Sequence, residues 1–155
     1  MTSSPTVAVV SAGEMGAGVG RRLREAGLRV VTTLTGRSER TRERAGEAGL
    51  EDAGSLAAAV READVLLSIV PPGRALELAE AAGRDPGPLY VDCNAVSPAT
   101  ARAIAAVIGD RSWTPASSAP RAPPASRRPG ATRPSWPRFR WTCASWAARS
   151  ARRRR

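Results

Sequence analysis

The sequence contains no histidine and no lysine, and these absences remove most of the usual chemistry at once. Without histidine there is no Ser-His-Asp triad and no ordinary zinc site. Without lysine there is no Schiff base and no ammonium to serve as acid or base. The two cysteines, Cys93 and Cys143, are too far apart in sequence to make a metal motif and read as free thiols. No apolar run approaches the roughly 20 residues of a membrane span, and the N-terminus "MTSSPTVAVV" lacks the basic start and cleavage pattern of a signal peptide. We therefore expect a cytoplasmic protein without a membrane partner. Arginine standing in every place where lysine could serve points to a very GC-rich gene.

The other notable absence is local. Residues 111–155 hold no acidic residue but 12 arginines, all four tryptophans and seven of the 13 prolines. Residues 1–110 carry all 14 acids against 12 arginines, a balance of about −2 that is ordinary for a soluble domain, so the formal net charge of +10 comes entirely from the last stretch. We expect two regions: an α/β domain over 1–110 and a disordered, basic Arg/Pro/Trp-rich tail over 111–155.

Within the first region, strands and helices alternate. "TVAVVS" (Thr6 to Ser11) is a short apolar run of the kind buried on both faces of a parallel sheet. "EMGAGVGRRLREAG" follows as a helix with Met15, Val19, Leu23 and Ala26 on one apolar face and Gly27 as its stop, and "LRVVTTL" is the next strand. Ser38 is the candidate N-cap of a polar helix, Ser55 starts another, and "DVLLSIV" (Asp64 to Val70) is a strand ended by Pro71 and Pro72. "RALELAEAAG" reads as helix, "LYVDC" (Leu89 to Cys93) as strand, and Ser97 with Pro98 opens a last helix. This order predicts a Rossmann-type, doubly wound parallel sheet with its ligand beyond the carboxyl ends of the strands.

"VAVVSAGEMGAGVG", Val7 to Gly20, places Ser11, Gly13 and Gly16 at the three positions of a dinucleotide-binding turn. The first makes the tight turn, the second lets a pyrophosphate approach the main chain, and the third lets helix pack on strand. Serine in place of the first glycine costs strain only if that position needs a positive φ. At the end of the second strand "TLTGRSER" offers no acid for ribose hydroxyls. It offers Arg37 and Ser38 after Gly36, which suit the 2′-phosphate of NADP better than NAD. Cys93 reads as a small packing residue rather than a nucleophile, because nothing nearby in sequence lowers its pKa. Two readings stay open for each of its neighbours: Asp92 as a base or a helix cap, Asn94 as a ligand or a loop-shaping residue.

"GEMG" (Gly13 to Gly16), "LREAGLRV" (Leu23 to Val30), "GRS" (Gly36 to Ser38), "ADVLLSIVPP" (Ala63 to Pro72) and "YVDCNAVSPATA" (Tyr90 to Ala101) occur in this order. Together they resemble the cofactor domain of the β-hydroxyacid dehydrogenases, which include 6-phosphogluconate dehydrogenase. The resemblance covers residues 5–110. It implies an NAD(P)-dependent oxidoreductase acting on the CH–OH group of a small hydroxy acid. It also implies that Ser11, Gly13, Glu14, Met15 and Gly16 surround the pyrophosphate, that Gly36, Arg37 and Ser38 surround the 2′-phosphate, and that Val70, Pro71 and Asn94 reach the nicotinamide half. The family's catalytic lysine has no counterpart in a chain without lysine, so no catalytic residue is assigned and turnover by this chain alone is not expected.

The break after Asp110 suggests a cause. Trp113 and Thr114 are encoded by TGG ACN, and reading two bases later gives GAC, an aspartate. With C or G at third positions, residues 112–121 re-read as "VDAGVVGPP", similar to the family's next strand and substrate loop. We expect the tail to be translated out of frame. Two alternatives are a nucleic-acid-binding arm of arginines and tryptophans, and a non-catalytic NADPH-binding protein.

Overall fold

The computed structural model describes residues 4–83 and 87–113. Six strands form one parallel sheet in the order β3-β2-β1-β4-β5-β6. They are β1 (Thr6–Val10), β2 (Arg29–Thr32), β3 (Glu51–Asp52), β4 (Val65–Ser68), β5 (Leu89–Asp92) and β6 (Ser112–Trp113). The crossovers are carried by α1 (Glu14–Glu25), α2 (Glu39–Glu47), α3 (Leu56–Glu62), α4 (Ala75–Ala82) and α5 (Pro98–Ile108). The sheet is thus the doubly wound Rossmann arrangement, with its topological switch between β1 and β4.

The central strand explains the fold. All five residues of β1 are buried, because side chains alternate between two apolar layers. Ala8 and Val10 join Val31, Leu66, Tyr90 and Ile104 on one face, while Val7 and Val9 join Ala17, Val30, Ala45 and Leu50 on the other. A strand that is continuously apolar in sequence is therefore a strand with a helical layer on each side.

Three differences from the expected elements have physical causes. The α1 stripe is not Met15, Val19, Leu23 and Ala26. Met15 is 52 % exposed and Ala26 is exposed, and the buried seam is Gly16, Ala17 and Gly20, with Val19 and Leu23 packed at its margin. Small residues sit there because α1 lies close: a Cβ on Gly20 would stand 2.8 Å from the Leu50 side chain. Strand β3 was not expected. Its two residues, both exposed, are strand only because they pair with Val31 and Thr32. Strand β6 pairs with Tyr90 and Val91 and lies past the expected domain boundary at 110. Buried Arg111 anchors its start by donating to the carbonyl oxygens of Pro88 (3.0 Å) and Gly83 (3.2 Å). The disorder expected over 111–155 concerns residues that, from 114 onward, lie outside the described ones. Among the described residues no helix is long and apolar enough to cross a membrane.

Candidate cofactor site

At the end of β1 the chain turns sharply into α1, and Ser11 makes the turn with φ of +79°. Among the described residues it alone, apart from glycines, has a positive φ, so serine here does carry backbone strain. Gly16 packs against this turn: a Cβ there would lie 1.9 Å from the Ser11 carbonyl oxygen and 3.5 Å from Val9 Cγ1. At Gly13 a Cβ would meet only the Ser11 hydroxyl oxygen at 3.9 Å, which leaves room above the turn. Gly13 is also the N-cap of α1 and supplies no side-chain cap, while its own carbonyl accepts the Ala17 N–H at 2.8 Å. The first-turn amides of Glu14, Met15 and Gly16 therefore face this space with the positive end of the helix dipole behind them. That is the donor set an anionic diphosphate needs, and the glycines fit it.

The strain makes a prediction. Ser11→Gly relieves the left-handed conformation at some cost in unfolded-chain entropy, and should raise stability by about 1 kcal/mol in denaturant unfolding. A loss of stability would contradict the strained turn.

Beyond β2, Gly36 (φ +71°) and the Arg37 N–H bond to the Leu34 carbonyl (3.0 Å) shape a turn that leaves Arg37 and Ser38 exposed. Ser38 is the N-cap of α2, but its hydroxyl lies 3.1 Å from Thr41 Oγ1 and does not cap the helix. Arg37 makes no ion pair among the described residues. Asp52, from β3, holds this tip by accepting from the N–H groups of Leu34 (3.1 Å) and Gly54 (2.9 Å). The nearby carboxylate is thus engaged in shaping the loop.

Strands β4 and β5 end side by side, with Ser68 in register with Asp92. Asn94 ties their loops together: its Oδ1 accepts the Val70 N–H (2.9 Å), and its Nδ2 donates to Ser68 Oγ (2.9 Å) and Asp92 Oδ1 (2.5 Å). The loop-shaping reading of Asn94 is thus visible as contacts. Among the described residues Asp92 caps no helix. It is buried, and burial pushes its carboxyl up, opposed by the Asn94 side chain, the Ser68 hydroxyl and the Asn94 main-chain N–H. Cys93 is exposed, which corrects the packing reading; it follows two buried residues where the strand ends, and its thiol donates to the Val91 carbonyl oxygen at 3.9 Å.

Tyr90, the chain's one tyrosine, is buried beneath this cluster. Burial pushes its phenol up to about 12, the Ser68 hydroxyl tempering the shift without completing a hydrogen bond of ordinary geometry. The unfolded chain ionises this phenol near pH 10 and the folded chain does not. Stability should therefore fall from about pH 10 to about 12, by about 3 kcal/mol in all. Alkaline unfolding followed by circular dichroism should show this limb in the natural chain and a shallower one in Tyr90→Phe. A phenolate band rising at the ordinary tyrosine pH in the folded chain would contradict it.

The sequence-predicted residues thus lie at the carboxyl ends of four strands: Ser11 to Gly16 after β1, Gly36 to Ser38 beyond β2, Val70 with Pro71 after β4, and Asn94, which bonds to Val70, after β5. Ser68 was missed as part of it, and Asp92, read from sequence as a base or a helix cap, was not placed beside Asn94. Polar residues ending otherwise apolar strands were the available signal.

Residues 6–96 match the family described as NADP oxidoreductase, coenzyme F420-dependent. The chain belongs to this family. The family match and the sheet together make this a Rossmann-fold NAD(P)-binding oxidoreductase domain. A conserved protein of unknown function, MTH1747, described as structurally similar to 3-hydroxyacid dehydrogenases, is 36% identical over 70% of this chain and 41% of its own, with a TM-score of 0.62. Prephenate dehydrogenase from A. aeolicus (18% identity, 73% and 41% covered, TM-score 0.61) shares the fold. So does a reductive aminase from Aspergillus terreus in complex with NADPH4 (18% identity, 72% and 40% covered, TM-score 0.59). The chain spans about two fifths of the length of these solved relatives. No curated protein matches it.

Proposed function

We propose that residues 1–110, with β6 extending the sheet, form the NADP-binding domain of an oxidoreductase acting on the CH–OH group of a small hydroxy acid. The observation that carries this reading is the β1–α1 turn, where Gly16 admits the helix and Gly13 leaves its amide donors open. In the reading, the main-chain N–H groups of Gly13, Glu14, Met15 and Gly16, with the Ser11 hydroxyl beside them, hold the diphosphate. Gly36 shapes the loop that presents Arg37 and Ser38 to the 2′-phosphate. Val70, Pro71 and Asn94 border the nicotinamide half. Two hydrogens of the Asn94 amide are already donated inward, so Asn94 serves there as an acceptor through Oδ1.

The family's description names NADP, and the relative at 36% identity is likened to 3-hydroxyacid dehydrogenases, which supports both the cofactor and the substrate class. When bound, the cofactor supplies hydride transfer. The chain has no histidine or lysine to take or give the substrate's hydroxyl proton. On this reading the domain binds and orients the cofactor, and because the family's acid/base lysine has no counterpart in a chain without lysine, turnover by this chain alone is not expected. The tail beyond the sheet, on this reading, is an out-of-frame product in a cytoplasmic protein.

Nicotinamide fluorescence titration of the whole chain tests the cofactor assignment. Saturable binding of both dinucleotides is expected, NADPH the tighter by about tenfold. Absence of saturation with either defeats the reading, and an equal or tighter NADH defeats the NADP preference.

A further inference from the structure

The contacts around Asn94 go further than its own role. An amide side chain has a donor end and an acceptor end of nearly the same shape, so its neighbours decide which way it faces. Here one neighbour is donor-only, the Val70 main-chain N–H at 2.9 Å from Oδ1. The other end meets two acceptors, Asp92 Oδ1 at 2.5 Å and Ser68 Oγ at 2.9 Å from Nδ2. Asp92 and Ser68 are themselves buried, at 1% and 0% exposure, and paired in register on β5 and β4. A carboxyl group is seldom buried in a sheet unless something there needs it. What it touches is a side chain, half-buried, that bridges to the first residues after β4.

We infer that Asp92, together with Ser68, is a positioning residue for the nicotinamide end of the cofactor: by each taking one amide hydrogen of Asn94 the two fix Oδ1 on the Val70 N–H and so set the main chain of Val70 and Pro71. The inference rests on the proposed reading that this segment borders the nicotinamide. Without the two acceptors the Asn94 amide is free to turn, its donor end faces the Val70 donor, and the bond joining the β4 and β5 loops is lost. The diphosphate turn and the Arg37 loop are carried by other strands and keep their geometry. Asp92 touches no reacting atom.

The test separates the two ends of the cofactor. Asp92→Leu and, should that variant fold poorly, Ser68→Ala are titrated in the whole chain with NADPH and with adenosine 2′,5′-bisphosphate, which carries only the adenine end. Asp92→Leu is expected to weaken NADPH about tenfold and Ser68→Ala by about threefold, the loss of one hydrogen bond's worth of placement. Binding of the bisphosphate stays within about twofold of the natural chain. Asp92→Asn, which keeps an acceptor oxygen, should recover most NADPH affinity. In the cofactor-free chain, hydrogen exchange at the Val70 amide should be fast in Asp92→Leu and slow in the natural chain. NADPH affinity unchanged with Val70 still protected overturns the inference, as does an equal loss of both ligands. If the natural chain binds neither ligand, the cofactor reading fails, and the Val70 exchange alone then decides whether Asp92 positions the loop.

Discussion

Gly16→Ala should lower stability by about 3 kcal/mol or more and abolish measurable NADPH binding. The added methyl would lie 1.9 Å from the Ser11 carbonyl oxygen and 3.0 Å from its carbonyl carbon, and both are main-chain atoms that no rotamer change can move aside. Either α1 lifts off the sheet or the Ser11 turn opens, and both remove the helix amides from their place over the turn. For a domain whose whole stability is on the order of 10 kcal/mol, such a loss is a large fraction. Gly18, two residues on, is the control, because a Cβ there meets nothing within 4 Å. Gly18→Ala should stabilise by about 0.5–1 kcal/mol, since alanine is the better helix former. Urea midpoints of the two variants should therefore move in opposite directions. Equal behaviour would mean that close packing does not build the turn.

The second large effect belongs to the cofactor's other end. Arg37→Ala should weaken NADPH by about tenfold to a hundredfold and leave NADH within about twofold. One charge-assisted contact to a phosphate is worth roughly 1.5–3 kcal/mol, and only NADPH carries that phosphate. Arg37 is exposed and makes no ion pair among the described residues, so its loss disturbs no internal contact and the change reads cofactor choice. Paired titrations of both dinucleotides measure it. A parallel loss of NADH would assign Arg37 to the loop's shape instead.

Much of this architecture was legible in sequence because the central strands pack against an apolar layer on each face. Val7 to Val10, Val65 to Leu67 and Tyr90 with Val91 read as apolar runs between turn residues, and the helices between them begin where serines stand: Ser55 and Ser97 accept from Ala58 and Thr100 main-chain N–H groups. Gly16 was legible because its place in the glycine spacing reflects a steric demand that the structure shows directly, a Cβ there lying 1.9 Å from the Ser11 carbonyl oxygen. What escaped was set by partners distant in the chain. Strand β3 is strand only through its pairing with β2, and β6 only through β5. The small-residue seam of α1 escaped because apolar periodicity picks out large residues, whereas a close helix packs through its smallest. The acceptor pair of Ser68 and Asp92 escaped for a similar reason: each looks like an isolated polar residue until the register of β4 with β5 brings them together around Asn94.

On the proposed reading the β1–α1 turn holds a dinucleotide and the β2 tip selects its phosphate. A crystal structure of the whole chain grown with NADP tests it most directly. The diphosphate is expected above Gly13 and against the amides of Glu14, Met15 and Gly16, with the 2′-phosphate beside Arg37 and Ser38. A cofactor seated elsewhere on the molecule, or a 2′-phosphate pointing away from Arg37, would contradict it.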